Sequence, residues 1–416
     1  MTAHGNPSWW RVLLPFAVGY FLSYLLRNAN AVIAPELTNE LALTAADLGF
    51  LTSTYFLSFG IFQLPLGILL DRYGPRRVES ALLLFAAAGT LVFASGHHIA
   101  TLGVGRALIG IGVSACLMAA LKNLWQWYPA ERQASLNGAV MVAGGLGAVS
   151  ASAPLEWVLP TLGWRGVFFS LSAVIAAASA YIFFAVPDHE GGISRTTLKQ
   201  QWQGVVQILS SRKFWHFAPQ TAFFAGGFMS VFGLWAVPWF MNVDGLTRTE
   251  AAHNLLLVSI ATLGSYFILA ISGTWLNRRG VPTAWLISGL LGIAMLIQTS
   301  IIAHWGPPAL LWVGYGACAS ATQLAYVALA QQFPITLTGR VNTSLNLLAF
   351  AGAFSIQWGF GGVVDALRAQ DWPVASAYRA AFALLTLLQF LAWAWFFLEA
   401  RRTTSTAARP PVVPSQ

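Results

Sequence analysis

Two arginines, Arg27 and Arg106, stand inside long apolar stretches, where a charged side chain has little water to solvate it. An ionisable group so placed costs about 2.5–3.5 kcal/mol on insertion scales, so it marks a site of function by default. The carboxylates nearest in depth, Glu36, Asp47, Glu156 and Asp365, fall at the ends of their stretches. Two guanidiniums without a fixed counter-ion favour an anion, and the planar arginine fork suits the oxygens of a carboxylate or phosphate. Tyr24, Arg27 and Asn30 recur at i, i+3 and i+6, which lays a polar stripe along one helix. Arg27 and Arg106 lie about seven and about six residues from the ends of their stretches, so at roughly 1.5 Å per residue they share a depth and are expected to face one cavity. Structural roles weigh against this: Arg106 as a donor to backbone carbonyls, Arg27 as a local partner of Glu36, and Lys122 as a side chain that snorkels to the interface.

The elements that position these residues follow from composition. Of 416 residues, 57% are hydrophobic and 9% charged, against about 25% charged in an ordinary soluble protein. A soluble globular enzyme is excluded, whereas a face solvated by lipid needs no charge. A bilayer core takes about 20 mostly apolar residues per helix. Twelve runs of that kind occur, numbered here as spans one to twelve: 11–34, 47–70, 78–95, 100–124, 134–159, 166–186, 215–240, 251–276, 283–303, 309–331, 342–367 and 377–399. Runs apolar on every side, such as 81–88, exclude the alternation of a barrel. The fold class is an all-α membrane protein of twelve transmembrane helices.

The net charge of +8 follows topology. With both termini in the cytoplasm, sixteen of the 22 Lys and Arg fall on inner segments, and only Arg165, Arg248, Arg368 and Arg379 on outer ones. Nucleic-acid binding loses its support, and a multi-pass protein of the inner or plasma membrane is expected. No apolar core with a cleavage site precedes Arg11, so no removable signal peptide is expected. The stretch 187–214 breaks the rhythm with Asp188, Glu190 and a basic, Trp-containing segment from Arg195 to Lys213, an inner-face linker that is partly an amphipathic helix along the membrane. It separates a bundle over 1–186 from one over 215–400, and 401–416 reads as a disordered cytoplasmic tail.

Catalytic chemistry finds no foothold. Cys116 and Cys318 sit in apolar runs as small buried hydrophobes, the histidines are scattered, and no phosphate-cradling loop is present. No catalytic residue, metal or cofactor is expected, and the chain is not read as an enzyme.

The two sides of the linker repeat. Gly67-Ile-Leu-Leu-Asp71-Arg72-Tyr-Gly74 matches Gly273-Thr-Trp-Leu-Asn277-Arg278-Arg-Gly280 at an offset of 206, while Ser135-Leu-Asn137 and Glu156 meet Ser344-Leu-Asn346 and Asp365 at 209. Six helices per copy give both copies one orientation, related by an axis along the membrane normal, with a site expected at midplane between them. Gly67 and Gly74 permit close approach and a tight turn, and Asp71 can pair with an arginine or a helix N-terminus.

Gly67 to Arg77 resembles the loop signature of the major facilitator superfamily of transporters, and Gly103-Val-Gly-Arg106-Ala-Leu-Ile-Gly110-Ile-Gly112 resembles its fourth-helix motif. The resemblance covers nearly the whole chain. It implies alternating rocking of two six-helix halves, with Gly67, Asp71, Arg72, Gly74 and Arg76 as a gate that favours the state closed to the cytoplasm. It also implies that helices one, four, seven and ten line the central path. The substrate-binding set expected there is Arg27, Arg106, Tyr24, Asn30, Tyr315, Gln323, Tyr326, Gln220, Asn346 and Trp358, with His216, Trp235 and Gln357 nearby. Tyr24 before Arg27 is similar to the anion-symporting branches; many such members carry an acid just before that arginine, where Leu26 stands here. The function so implied is secondary transport of a small organic anion, carboxylate- or phosphate-bearing, by a monomer in membrane lipid. A co-transported proton or other ion would act through Asp47, Glu156, Asp365 or His216. Export of amphiphilic or drug-like solutes by proton antiport is the alternative, followed by a non-transporting membrane receptor or enzyme.

Overall fold

The computed structural model describes residues 9–187, 203, 206–279, 282–334 and 337–407. Span one is the helix Leu14–Leu41, with Pro15 in its first turn, where a missing N–H costs nothing. It runs seven residues past the expected end, because Pro35 is carried inside the helix and closure comes only at left-handed Ala42, whose N–H donates to the Thr38 carbonyl. Spans two and three form one segment, Ala45–Ser95, which changes direction at Gly74 (φ 78°, ψ 162°), a conformation that a side chain would strain. The tight turn read at this glycine is present.

Span four is Ile99–Val113 continued by Cys116–Trp127. Span five is Ala130–Ser150 together with the first part of Ala153–Ala185, and Gly163 turns that helix into span six. Span seven covers Arg212–Asn242 and contains two π turns, Thr221–Ala225 and Val231–Trp235. Span eight is Arg248–Arg278, span nine Thr283–Ala303, span ten Pro308–Cys318 with Ala321–Ala330, span eleven Thr338–Arg368 and span twelve Val374–Ala407. Among the described residues nine helices are long and apolar enough to cross a membrane. Spans one, five and ten complete the twelve: span one carries Arg27, Asn28 and Asn30, while five and ten are interrupted midway.

The tail departs from expectation. Span twelve stays helical through Ala407, because neither proline nor glycine interrupts the chain there and the first proline follows only at Pro410. Residues 408–416 lie outside the described part, as do Gly280 of the second repeat loop and most of the linker, including 195–202 of the expected amphipathic segment.

Spans one to six and seven to twelve form two halves, and after an even number of spans the start of span one and the end of span twelve lie at one face, called here the terminal face; the opposite one is the far face. The halves meet along spans two and eleven. Phe59 stacks on Phe350 with centroids 4.2 Å apart, Phe56 lies 5.9 Å from the same ring, and Phe50 meets Trp358 at 5.3 Å. These aromatic pairs bury large area at the seam and add about 0.5–1.5 kcal/mol each beyond it.

Candidate functional site

Arg27 lies at this seam. Its guanidinium carbon stands 4.6 Å from the Tyr24 ring, 5.3 Å from Phe59, 5.4 Å from Phe350 and 5.9 Å from Tyr55, and its Nε donates to the Tyr55 hydroxyl at 3.4 Å. Three of these rings come from spans one and two, and Phe350 comes from the other half. A guanidinium over several ring faces gains roughly 0.5–2 kcal/mol per good contact, yet ring faces occupy none of its five directional donors. No carboxylate pairs with Arg27 among the described residues. Glu36, weighed as its local partner, binds Arg248 instead. The head of Arg27 is half-buried, so it is held by rings and remains reachable.

A polar wall faces it. The Tyr326 hydroxyl of span ten donates to Asn346 Oδ1 of span eleven at 3.1 Å, and Gln323 of span ten lies beside Tyr266 of span eight. Tyr20, Tyr266 and Tyr326 all lie within electrostatic range of Arg27. Of the expected set, Arg27, Tyr24, Gln323, Tyr326 and Asn346 are brought to one neighbourhood.

The rest lie elsewhere. Arg106 is 1% exposed; its Nη1 donates to the Leu26 carbonyl at 3.1 Å, and its guanidinium lies 4.6 Å from the Phe93 ring and 5.6 Å from Phe168. The expectation that it faces one space with Arg27 is corrected, because span four turns it toward spans one, three and six. Tyr315 is fully buried among Phe228, Phe232, Trp312 and Phe382. Gln220 and Asn30 are buried, with Gln220 Nε2 and Asn30 Oδ1 lacking partners. Trp358 is 46% exposed beside Phe50 and Phe354, so its ring packs on the outside of the seam. His216 stacks on Phe396 and its Nε2 meets the Phe396 carbonyl at 2.9 Å. Trp235 Nε1 donates to the Gln357 carbonyl at 3.1 Å.

At the terminal face, Asp71 accepts from Lys122 Nζ at 2.5 Å, and the same ammonium donates to the Leu70 carbonyl at 2.8 Å. Lys122 therefore pairs with Asp71 and does not line the site with Arg27. Arg76 Nε donates to the Phe183 carbonyl at 2.7 Å, Arg72 lies over the Tyr73 ring, and Gly67 continues the helix one turn before Asp71.

At the far face the halves are tied by charge. Asp365 of span eleven accepts from the Ala45 and Ala46 amides at 3.0 and 2.7 Å, so one half caps the first turn of span two in the other. This satisfies donors that a helix start leaves open and places a negative charge at its positive end. Arg248 of span eight bridges Glu36 of span one and Glu156 of span five, its Nε 2.8 Å from Glu156 Oε2, and its Nη2 donates to the Val32 carbonyl at 3.0 Å. Asp47 closes a local box with Thr44.

Sequence reasoning missed Tyr55, Phe59, Phe350 and Tyr266, since aromatic residues in apolar spans look like packing. It also missed Arg248, read as an outer-loop cation; its place in the first turn of span eight, opposite two acidic span ends, was the available signal.

Residues 16–356 match the Major Facilitator Superfamily. The chain is 25% identical over 286 residues to the protein named probable L-galactonate transporter of Escherichia coli (strain K12), across 67% of this chain and 62% of that protein. It is 26% identical over 260 residues to the hexuronate transporter of the same strain, across 58% and 60%. The chain thus spans about three fifths of the length of these relatives. In fold it is similar to a bacterial homolog of the human lysosomal transporter Spinster, solved inward-facing and unoccupied, with TM-score 0.76, 18% identity, and coverage of 98% of this chain and 100% of that one.

Proposed function

The chain belongs to the Major Facilitator Superfamily, and from that premise we propose that it is a secondary transporter of small sugar-acid anions, working as a monomer in the cell membrane with its terminal face in the cytoplasm. The observation that carries this reading is Arg27: a half-buried guanidinium at the seam of the halves, with ring faces around it and no carboxylate bound to it among the described residues. A substrate carboxylate takes the guanidinium donors, and a charge-assisted pair of this kind contributes about 1.5–3 kcal/mol. Substrate hydroxyls meet Tyr326, Asn346, Gln323 and Tyr266, which exchange hydroxyl and amide partners without net charge. The relatives named for L-galactonate and hexuronate carry this chemistry, one carboxylate on a polyhydroxylated chain.

In this reading the far face is the outer one, and the Asp365 cap and the Arg248 bridge hold it shut. Glu156 and Asp365 then act as latches, while Asp71, Arg72 and Arg76 gate the cytoplasmic face. Alternating access breaks the outer contacts and brings the inner ends of the halves together. Coupling to a proton or other ion completes the cycle.

Uptake of labelled D-galacturonate and L-galactonate into proteoliposomes tests the reading, with galactose as the neutral control. Saturable uptake of the acids, competed by each other and not by galactose, is expected, and Arg27→Gln abolishes it. Equal uptake of galactose or of a lipophilic cation would replace it with the exporter reading.

A further inference from the structure

Among the described residues, Asp365 caps span two, Glu36 and Glu156 share Arg248, Glu40 accepts from Trp164 and Arg165, and Asp71 meets Lys122. Asp47 and Glu250 accept from Thr44 and Thr247, and Asp244 faces His304. Glu79 differs from all of these. It is 0% exposed, and neither of its carboxyl oxygens accepts from a nitrogen or oxygen donor. No other described carboxylate has both oxygens buried and unpartnered in this way.

Its surroundings are built around it. Glu79 stands one turn beyond Pro75 in span three, and its Oε1 occupies the space that a side chain at Gly19 of span one would fill. Ile182 of span six closes the same side, and Cys116 of span four, with its weakly donating thiol, is the titratable group that faces it. Among the described residues it forms no ion pair. A bare carboxylate in such a place is held at high cost and a neutral acid at far lower cost. A position that served packing alone would be filled more favourably by leucine or methionine.

Span one links this acid to the anion site. Gly19 and Arg27 are eight residues apart on one helix, roughly 12 Å. Between them Tyr20 and Tyr24 meet edge to face at 5.0 Å, and the Tyr24 ring lies under the guanidinium. Leu26, before Arg27, is apolar, and among the described residues no carboxylate pairs with Arg27.

Resting on the transport reading above, we propose that Glu79 is the proton-binding site of the transport cycle, so that one anion on Arg27 and one proton on Glu79 cross together. An O–H bond forms on the Glu79 carboxylate with a proton taken from water on one side, and breaks to water on the other. No further reactant is required. The loaded carrier changes its net charge by zero, because the anion's negative charge and the proton's positive charge cancel.

The test uses the full chain in proteoliposomes with D-galacturonate as probe, comparing wild type, Glu79→Gln and Glu79→Asp. Counterflow at equal pH reads anion exchange alone. Accumulation under an imposed pH gradient, with the voltage clamped, reads coupling, and at one proton per anion a gradient of about one unit drives about tenfold accumulation. E79Q is expected to keep counterflow and lose the accumulation, while E79D keeps both. Accumulation by E79Q at the wild-type ratio overturns the proposal, as does equal loss of counterflow in E79Q and E79D, which marks a structural role. Absence of counterflow in the wild type counts against the sugar-acid reading instead. A readout that needs no substrate decides the proton site in every case: infrared difference spectra of the wild type across a pH titration should contain a protonated-carboxyl stretch that E79D retains, and its absence overturns the proposal. If E79Q fails to fold, this band and its shift on Glu79→Asp carry the decision.

Discussion

Arg27 and Arg106 carry the same sequence signal, a lone guanidinium within an apolar helix, and the structure gives them opposite surroundings. Arg106 is enclosed by one half: a carbonyl of span one, a ring of span three and a ring of span six take up its head, and two of its nitrogens stay buried without partners. Arg27 is enclosed by both halves, since Phe350 crosses the seam to reach it, and its head stays partly accessible. A cation within one rigid bundle contributes to that bundle's packing. A cation at a seam between bundles can respond to their relative motion, and an anion bound there contacts the elements that must move.

The comparison can be broken at several points. The largest effect is expected from Arg27→Gln, which should lower sugar-acid uptake by roughly 100-fold or more, because removing one partner of a hydrogen-bonded charge pair costs about 2–5 kcal/mol. Arg27→Lys keeps the charge without the fork and should fall between, measured as KM in the same assay. Arg106→Ala should leave KM within about threefold but reduce thermal stability by about 2–4 kcal/mol, since it opens a cavity between Phe93 and Phe168; a large rise in KM with unchanged stability would erase the distinction. Tyr326→Phe removes the hydroxyl that meets Asn346 and should raise KM for galacturonate about fivefold, the worth of about 1 kcal/mol. Asp365→Asn weakens the helix cap and should raise maleimide labelling of a cysteine placed at Ala46 by a fewfold factor, as about 0.3–1 kcal/mol of cap energy is lost. The two native cysteines, both buried, give a low background.

Much of the architecture was legible because a bilayer leaves few alternatives: twelve apolar runs became twelve spans, and the loop glycine at Gly74 makes the turn its type demands. Arg27 was legible for the same reason, as a charge out of place. Its cage was not, because Phe59 and Phe350 are almost three hundred residues apart and each alone looks like packing. Glu79 escaped notice because it follows Arg76 and Arg77, where an acid reads as part of the interfacial charge. Only the fold reveals that span three turns its carboxyl inward, against Gly19. The cross-half contacts of Asp365 and Arg248 likewise depend on how the halves dock, which the period of one helix does not encode.

The unbroken segment Ala45–Ser95 has one more consequence. Its first turn holds the cap from Asp365, its middle supplies Tyr55 and Phe59 to the guanidinium, Asp71 stands just before its bend, and the first turns of its second arm carry Glu79. At about 1.5 Å per residue the arm before Gly74 is some 40 Å long. It therefore works as a connecting rod: a tilt set at one end of the arm reaches Arg27 and the other end through a single piece of backbone, with no relay of separate parts to fall out of step.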